Sequence, residues 1–415
     1  MSSRRPARLR IGAAVGVGVP LGFLVGRDGS PVWQAVRVLE VALLTAVAIA
    51  MILGLGRRWR GGALLVVGIV GTAVGTGFAP AWLAKAGVGI VPAVAVIALA
   101  AGLASLVFGL IDLGGSPGGW QRWAAVIVLL LCSAVLLLSL GIAVAATNGP
   151  PTDLGTRTPA DRGLPFEDAA FTTDDGVLLS GWYLPSANRA AVVLLHGSGS
   201  TRSSVLDQAE VLARGGYGVL LFDSRGHGRS GGRAMDFGWF GDSDIGAAVT
   251  YLQQRPEVDR ERIAALGLSM GGEEAIGAAA GDDRLRGVIA EGATGRTAAD
   301  KAWMADAYGF NGWIQQRVDG LTYWFTDLLT SADPPISLRE AVARTAPRPL
   351  LLITAGEVPD ELRAADYIRA AAPDTVEVWE VPRAGHTEAL ATAPAEWEAR
   401  VLAFLDRVLL AGPAG

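Results

Sequence analysis

The segment WAAVIVLLLCSAVLLLSLGIAVAA at 123–146 has no charged residue from end to end. A helix that crosses the roughly 30 Å apolar core of a bilayer needs about 20 consecutive apolar residues, and this segment supplies them. Further apolar segments of this kind lie earlier in the chain, at 11–26, 38–56, 61–83 and 88–111. Residues 1–147 are therefore predicted to form an all-α transmembrane region of about five helices.

The placement of arginine predicts the orientation of these helices. Four arginines precede the segment 11–26, and RRWR at 57–60 separates the second segment from the third. Because Lys and Arg are concentrated in cytoplasmic loops, both positions are predicted to be cytoplasmic, and five helices then place residue 150 and the rest of the chain outside. The segment 11–26 is short and contains Pro20, so four helices remain an alternative, in which RRWR would face outward against this bias.

Charge and cysteine content narrow the possible functions. The net charge of −5 gives nucleic-acid binding no electrostatic support. Cys132 is the only cysteine, which excludes an intrachain disulfide and any metal site with two cysteine ligands. The apolar segments have no acidic or basic residue at their middle, which favours an anchor over an ion or proton pathway.

The remainder of the chain has a different pattern. A linker rich in Pro, Gly and Thr at 148–165 leads into a region at 166–412 where short apolar runs alternate with helical stretches. This alternation predicts a mostly parallel sheet with helices on both faces. In such sheets, functional residues lie at the carboxyl ends of the strands.

The sequence GLSMG directly follows the predicted strand RIAALGL at 262–268 and opens a helical stretch. This is the G-x-S-x-G pattern of a nucleophile elbow, in which a serine is held on a sharp turn between a strand and a helix. Gly267 and Gly271 allow the strand and the helix to approach each other closely. Ser269 is therefore predicted to be a nucleophile.

The chain contains three histidines, and only His386 follows Ser269, as the order serine, acid, histidine requires. It lies in a loop between the last predicted strand and the last predicted helix, and we predict that it is the catalytic base. His196 ends a strand and is followed by Gly197; His227 lies in a glycine-rich turn. His196 is predicted to brace the loop that faces the substrate and His227 to pack beside it, and neither is predicted to act on the substrate.

Four motifs occur in the order found in one superfamily: HGSGS at 196–200, DSRGHGRSGG at 223–232, GLSMGG at 267–272 and AGH at 384–386. With them, the C-terminal region resembles the α/β-hydrolase superfamily, nearest its serine esterase, lipase and aminopeptidase-like branch. The resemblance implies an α/β-hydrolase fold and a catalytic triad. It does not extend to the N-terminal helices.

The resemblance also implies further site residues. The backbone N–H groups of Ser198 and Met270 correspond to the oxyanion hole. The superfamily's acid usually lies three residues after the glycine that ends a late strand, but Pro359 occupies that position here. Asp360 is the preferred candidate for the acid, with Glu357 as the alternative.

The segment 293–347 interrupts the α/β pattern and is rich in aromatic residues. It is predicted to be a helical lid over the carboxyl ends of the strands. Its aromatic residues are assigned first to the core of the lid, second to an acyl pocket and third to membrane contact.

Together these features predict a membrane-anchored serine hydrolase that cleaves carboxylic esters, and less readily amides, outside the cytoplasm. Its partners would be the membrane and a small-molecule or lipid-like acyl substrate, with no metal or organic cofactor and no nucleic acid. An acyltransferase with the same triad, and a non-catalytic membrane sensor or scaffold that keeps the fold, are the alternatives.

Overall fold

A computed structural model describes residues 4–25, 31–114 and 120–411. The predicted ends at residues 26 and 412 lie outside these ranges. The chain forms two compact units, one of Met1–Pro150 with Leu321–Leu329 and one of Pro151–Gly320 with Thr330–Gly415.

The first unit contains five long helices. They are α1 (Arg4–Val25), α2 (Pro31–Gly54), α3 (Arg57–Ala86), α4 (Ile90–Gly114) and α5 (Trp120–Asn148). By length and composition, a stretch in each of them is sufficient to cross a membrane. Glycines let α3 and α4 approach closely: a Cβ added at Gly102 would lie 2.4 Å from the backbone nitrogen of Thr72. Small residues therefore let these two backbones meet, as is common among membrane helices.

A buried carboxylate links three of these helices at one end of the bundle. Asp112 of α4 is 2% exposed and accepts hydrogen bonds from Arg10 of α1 (Nη2–Oδ1, 2.7 Å) and Arg60 of α3 (Nε–Oδ2, 2.7 Å). A buried charge is tolerated when it is paired and hydrogen-bonded. Arginines that the sequence pattern associates with one side of the bundle therefore meet on a single acid.

The second unit is built on an eight-stranded sheet with the strand order β1-β2-β4-β3-β5-β6-β7-β8. The strands are β1 (Glu167–Thr172), β2 (Leu178–Leu184), β3 (Ala191–Leu195), β4 (Gly218–Phe222), β5 (Ile263–Leu268), β6 (Leu285–Glu291), β7 (Leu350–Ala355) and β8 (Val376–Val381). The pairs β1–β2 and β2–β4 are antiparallel and all the others are parallel. The predicted α/β-hydrolase fold is confirmed.

Helices cover both faces of this sheet. They are α6 (Leu206–Arg214), α7 (Gly241–Gln253), α8 (Met270–Gly281), α11 (Leu338–Thr345), α12 (Pro359–Arg369), α13 (Ala389–Thr392) and α14 (Pro394–Leu405). The core on one face contains residues of α7, α8, α11 and α12, and the core on the other contains residues of α6, α13 and α14. Successive residues of β3 alternate between these cores, Val193 in the first and Val192 and Leu194 in the second. Strands buried on both faces explain the continuous apolar runs in the sequence.

The insertion at 293–347 contains α9 (Met304–Tyr308), α10 (Phe310–Leu329) and α11. Four of its aromatic residues are exposed: Phe310 at 71%, Trp324 at 54%, Trp313 at 45% and Tyr308 at 42%. The prediction that the aromatic residues of this segment form the core of a lid is therefore wrong for these four. Leu329, at the end of α10, belongs to the helical unit and packs against its apolar cluster.

Candidate active site

Ser269 lies between β5 and α8 in a strained turn. Its backbone has φ 52° and ψ −122°, a region that residues with a side chain rarely occupy. The glycines on either side are required by space: a Cβ at Gly267 would lie 2.2 Å from the backbone of Gly271, and a Cβ at Gly271 would lie 2.7 Å from the carbonyl oxygen of His196. Glycines two residues before and after the serine thus let strand and helix meet, as the sequence pattern predicted.

His386 lies in the loop between β8 and α13, beside the serine. Its Nε2 is 2.9 Å from the Oγ of Ser269. Gly292, which follows β6 with φ +71°, leaves space for the imidazole, because a Cβ there would lie 2.8 Å from His386 Cε1. The structure therefore brings together the two residues that the sequence selected as nucleophile and base.

The acid beside His386 is Glu361, which the sequence analysis did not propose. Its Oε1 is 2.6 Å from the Nδ1 of His386, and its Oε2 accepts a hydrogen bond from the backbone nitrogen of Ala355 (2.8 Å). The side chain is 1% exposed. One oxygen of Glu361 is therefore bound to the end of β7, and the other faces the imidazole of His386.

The two acids proposed from the sequence lie elsewhere, and that assignment is corrected. Asp360 accepts hydrogen bonds from the hydroxyl of Tyr308 and from Arg363 (Nη1–Oδ1, 2.9 Å), while Glu357 is exposed. Pro359 begins α12, and successive residues of a helix point about 100° apart. Asp360 therefore faces outward, and the next residue, Glu361, faces the sheet.

The carboxylate of Glu361 raises the pKa of His386 above its ordinary value, since the hydrogen bond favours the protonated imidazole. Burial of the ring acts in the opposite direction and is the smaller effect. The carboxylate of Glu361 therefore stabilises the protonated imidazole that forms when His386 takes the proton of Ser269.

A second buried acid, Glu291 at the end of β6, forms hydrogen bonds with Ser269 and with the segment that follows His386. Its backbone oxygen accepts a hydrogen bond from the nitrogen of Ser269 (2.7 Å). Its side chain accepts from the nitrogen of Ala389 (2.9 Å) and the indole of Trp397 (3.2 Å). Burial raises the pKa of this carboxyl. The sequence analysis did not propose Glu291. The feature that could have indicated it is an acid at the end of the otherwise apolar run GVIAEG.

The loop after β3 lies against the serine. A Cβ at Gly197 would be 3.3 Å from the Cβ of Ser269, and Ser198 and Ser269 line the same cleft. Met270 is the first residue of α8, so its N–H has no acceptor within the helix. Ser198 thus lines the cleft of Ser269, and Met270 directly follows the serine at the start of α8. Their role as the oxyanion hole stays a prediction.

The other two histidines hold this loop. His196 is fully buried, with Nδ1 2.8 Å from the Gly197 oxygen and Nε2 accepting from the nitrogen of Ser224 (3.0 Å). Burial, with the nearby imidazole of His227 second, lowers the pKa of His196 to about 4. His227 accepts a hydrogen bond from the nitrogen of Gly199 (3.3 Å). Both rings serve as hydrogen-bonding braces for the loop and lie away from the Ser269 hydroxyl.

Ser269 and His386 open into a cleft of about 770 Å³. A larger groove of about 1390 Å³ lies beside β1, α7 and α8 and contains neither residue. Because Ser269 and His386 line the smaller cleft, that cleft is the candidate active site. Among residues 4–25, 31–114 and 120–411, no group of three His, Cys, Asp or Glu side chains is arranged to hold a metal ion.

Comparisons with known proteins agree with this fold. Residues 186–352 match the serine aminopeptidase S33 family model. A crystal structure of an esterase from Pyrococcus furiosus is 28% identical and has a TM-score of 0.50, with 63% of this chain and 98% of the esterase aligned. The C-terminal region therefore has the α/β-hydrolase fold, as its motifs indicated, and it is fused to a helical region with five apolar helices.

Two curated relatives match a shorter stretch. A thiohydrolase of Aspergillus aculeatus is 40% identical over 128 residues, which are 30% of this chain and 40% of the relative. A polyketide transferase of Penicillium is 35% identical over 138 residues, 31% of this chain and 45% of the relative. The chain spans less than half the length of each of these relatives.

Proposed function

We propose that this protein is a membrane-anchored serine hydrolase that cleaves carboxylic esters, with Ser269 as nucleophile, His386 as base and Glu361 as the acid that orients it. One observation carries the proposal. A continuous row of hydrogen-bonding atoms runs from Ser269 Oγ to His386 Nε2 (2.9 Å) and from His386 Nδ1 to Glu361 Oε1 (2.6 Å). This is the geometry in which a histidine activates a serine hydroxyl.

The reaction follows from these positions. His386 Nε2 takes the proton of Ser269 as Oγ bonds to the ester carbonyl carbon, and the N–H groups of Ser198 and Met270 stabilise the negative oxygen that forms. The bond to the alcohol oxygen breaks, and the imidazolium gives its proton to the departing alcohol. Water then attacks the acyl-serine with the same base, which releases the acid and regenerates Ser269.

Transfer of the acyl group to an alcohol is a second candidate. It requires only that an alcohol displace water in the last step. The names of the two curated relatives, a thiohydrolase and a polyketide transferase, favour retaining it. A non-catalytic sensor or scaffold is disfavoured, because such a protein has no need of a strained serine beside an oriented imidazole.

Five helices of sufficient length and apolarity support the membrane anchor. The arginine distribution supports a cytoplasmic N-terminus, which with five crossings places the hydrolase outside the cytoplasm.

The replacement Ser269→Ala tests the hydrolase proposal. Loss of the nucleophile is expected to lower kcat for a short-chain carboxylic ester by about 10⁶-fold, with normal folding and membrane association. Ser331→Ala is the matched control, because Ser331 is exposed and lies outside the cleft. Hydrolysis by Ser269→Ala at the rate of the control would refute the proposal.

A further inference from the structure

Exposed large apolar side chains are concentrated on one helix in the part of the chain that follows residue 150. Among the described residues of that part, one such side chain is Leu178, and the other six belong to a single segment, namely Tyr308, Phe310, Trp313, Ile314, Trp324 and Leu328. The last five of these lie on α10, and their spacing places them on one side of the helix. We call these five residues the apolar stripe. Isolated exposed apolar residues are common, but a contiguous set marks a surface that contacts a partner.

The opposite side of α10 is polar and is turned toward the protein. Thr322 is 6% exposed and Thr326 is 0% exposed, and the hydroxyl of Thr326 donates a hydrogen bond to the backbone oxygen of Thr322 (3.0 Å). Asp319 accepts a hydrogen bond from Nζ of Lys301 (2.9 Å). A helix at the surface of a water-soluble protein buries its apolar side and exposes its polar side. On these two sides α10 has the reverse arrangement, which is expected where the outer side contacts lipid instead of water.

The composition of α10 favours a position on a membrane over one across it. The helix contains Arg317, Asp319 and Asp327, and the described helices that are apolar enough to cross a bilayer are α1 to α5. Charged residues together with a side rich in Trp, Phe and Leu are typical of helices that lie in the plane of the membrane surface. Trp is also enriched at the boundary between lipid and water.

The C-terminal end of α10 indicates which level of the helical unit it reaches. Leu321–Leu329 belong to that unit, and Leu329 packs against an apolar cluster that contains Leu24 and Val144. Leu24 lies at the end of α1, and Val144 lies in the last turns of α5. Helices that cross a bilayer end at its surface. The end of α10 is therefore at the level of a membrane surface.

We propose that α10 lies on the surface of the membrane and that its apolar stripe is inserted among the lipids. The proposal rests on the membrane anchor proposed above and adds a segment of the insertion at 293–347 to that anchor. The partner is the bilayer itself, because the stripe is apolar and aromatic. Among the described residues of the insertion, none lines the cleft of Ser269, so contact with lipid does not compete with the catalytic role of that cleft.

Spin labels on single cysteines test this contact in the full-length protein, reconstituted in phosphatidylcholine vesicles. Trp313→Cys and Trp324→Cys, each combined with Cys132→Ser, place the label on the stripe. Gln315→Cys in the same background is the matched control, since Gln315 is exposed on another side of the same helix. Labels at 313 and 324 are expected to be more accessible to oxygen, which concentrates in lipid, than to a water-soluble nickel chelate, at a depth of about 5–10 Å. The label at 315 is expected to show the opposite preference.

A reference label on the native Cys132 separates this inference from the anchor on which it rests. Cys132 is exposed on α5, so its label should be protected from the chelate if α5 crosses the membrane. With Cys132 protected, labels at 313 and 324 as open to the chelate as the label at 315 would overturn the inference alone. Low access to both oxygen and the chelate at 313 and 324 would also overturn it, because that result indicates a protein partner such as a second copy of this chain. A label on Cys132 that is open to the chelate would overturn the anchor and the inference together.

Discussion

The two units of this chain use the same kinds of residue for different purposes. In the helical unit, Gly102 lets two helices pack closely and a buried acid, Asp112, is held by two arginines. In the hydrolase unit, Gly267 shapes a strained turn around one serine, and the buried acid Glu361 directs an oxygen at a titratable imidazole. A buried acid saturated by arginines holds a structure together, whereas one that faces a histidine controls where a proton goes.

The proposed membrane anchor is what most separates the roles of the two units, and a topology experiment gives the sharpest way to test it. A reporter that is active only outside the cytoplasm, fused after Pro151, is expected to be fully active. The same reporter fused at Arg58 is expected to be silent, because the RRWR sequence faces the cytoplasm in the five-helix arrangement. Activity at Arg58 and silence at Pro151 would place the hydrolase in the cytoplasm.

The structural role of Asp112 predicts a large effect on stability. Asp112→Ala leaves Arg10 and Arg60 without their shared acid, and should lower the free energy of unfolding of the helical unit by about 1–3 kcal/mol, less than for a fully buried pair because both arginines are partly exposed. Unfolding of the detergent-solubilised protein by sodium dodecyl sulfate, followed by circular dichroism, measures it. Asp374→Ala, an exposed acid of the other unit, is the control. An unchanged midpoint in Asp112→Ala would contradict this role.

The pH dependence of hydrolysis distinguishes the role of Glu361 from that of Asp112. His386 must be neutral to take the proton, and Glu361 raises its pKa, so the acidic limb of kcat/KM for the wild type should lie above the ordinary histidine pKa of about 6.5. Glu361→Gln removes the charge that favours the imidazolium. Its limb should therefore move to lower pH, while the maximal rate falls. A limb at the same pH in both proteins would mean that Glu361 does not set the titration.

Sequence alone predicted the fold, and it selected two residues, Ser269 and His386, that lie within hydrogen-bond distance of each other in the structure. Ser269 and His386 follow strands in motifs whose spacing is set by backbone geometry, and such spacing can be recognised in the amino-acid sequence. The acid was missed for a physical reason: the side that each residue of α12 presents depends on where the helix begins, and a shift of one residue exchanges Asp360 for Glu361. The role of Asp112 could not be found at all, since it is defined by contacts with residues far away in the chain.

The central claim is that Glu361, rather than its neighbour, completes the site with Ser269 and His386. The most direct test compares kcat for Glu361→Gln and Asp360→Asn on the same ester. The proposed triad predicts that Glu361→Gln lowers kcat by about 10⁴-fold, because the amide no longer holds the productive imidazole tautomer. Asp360→Asn is expected to stay within a few-fold of the wild type, since the Asp360 carboxylate is hydrogen-bonded to Tyr308 and Arg363 rather than to the imidazole. A severe loss in Asp360→Asn together with a mild effect of Glu361→Gln would contradict the account.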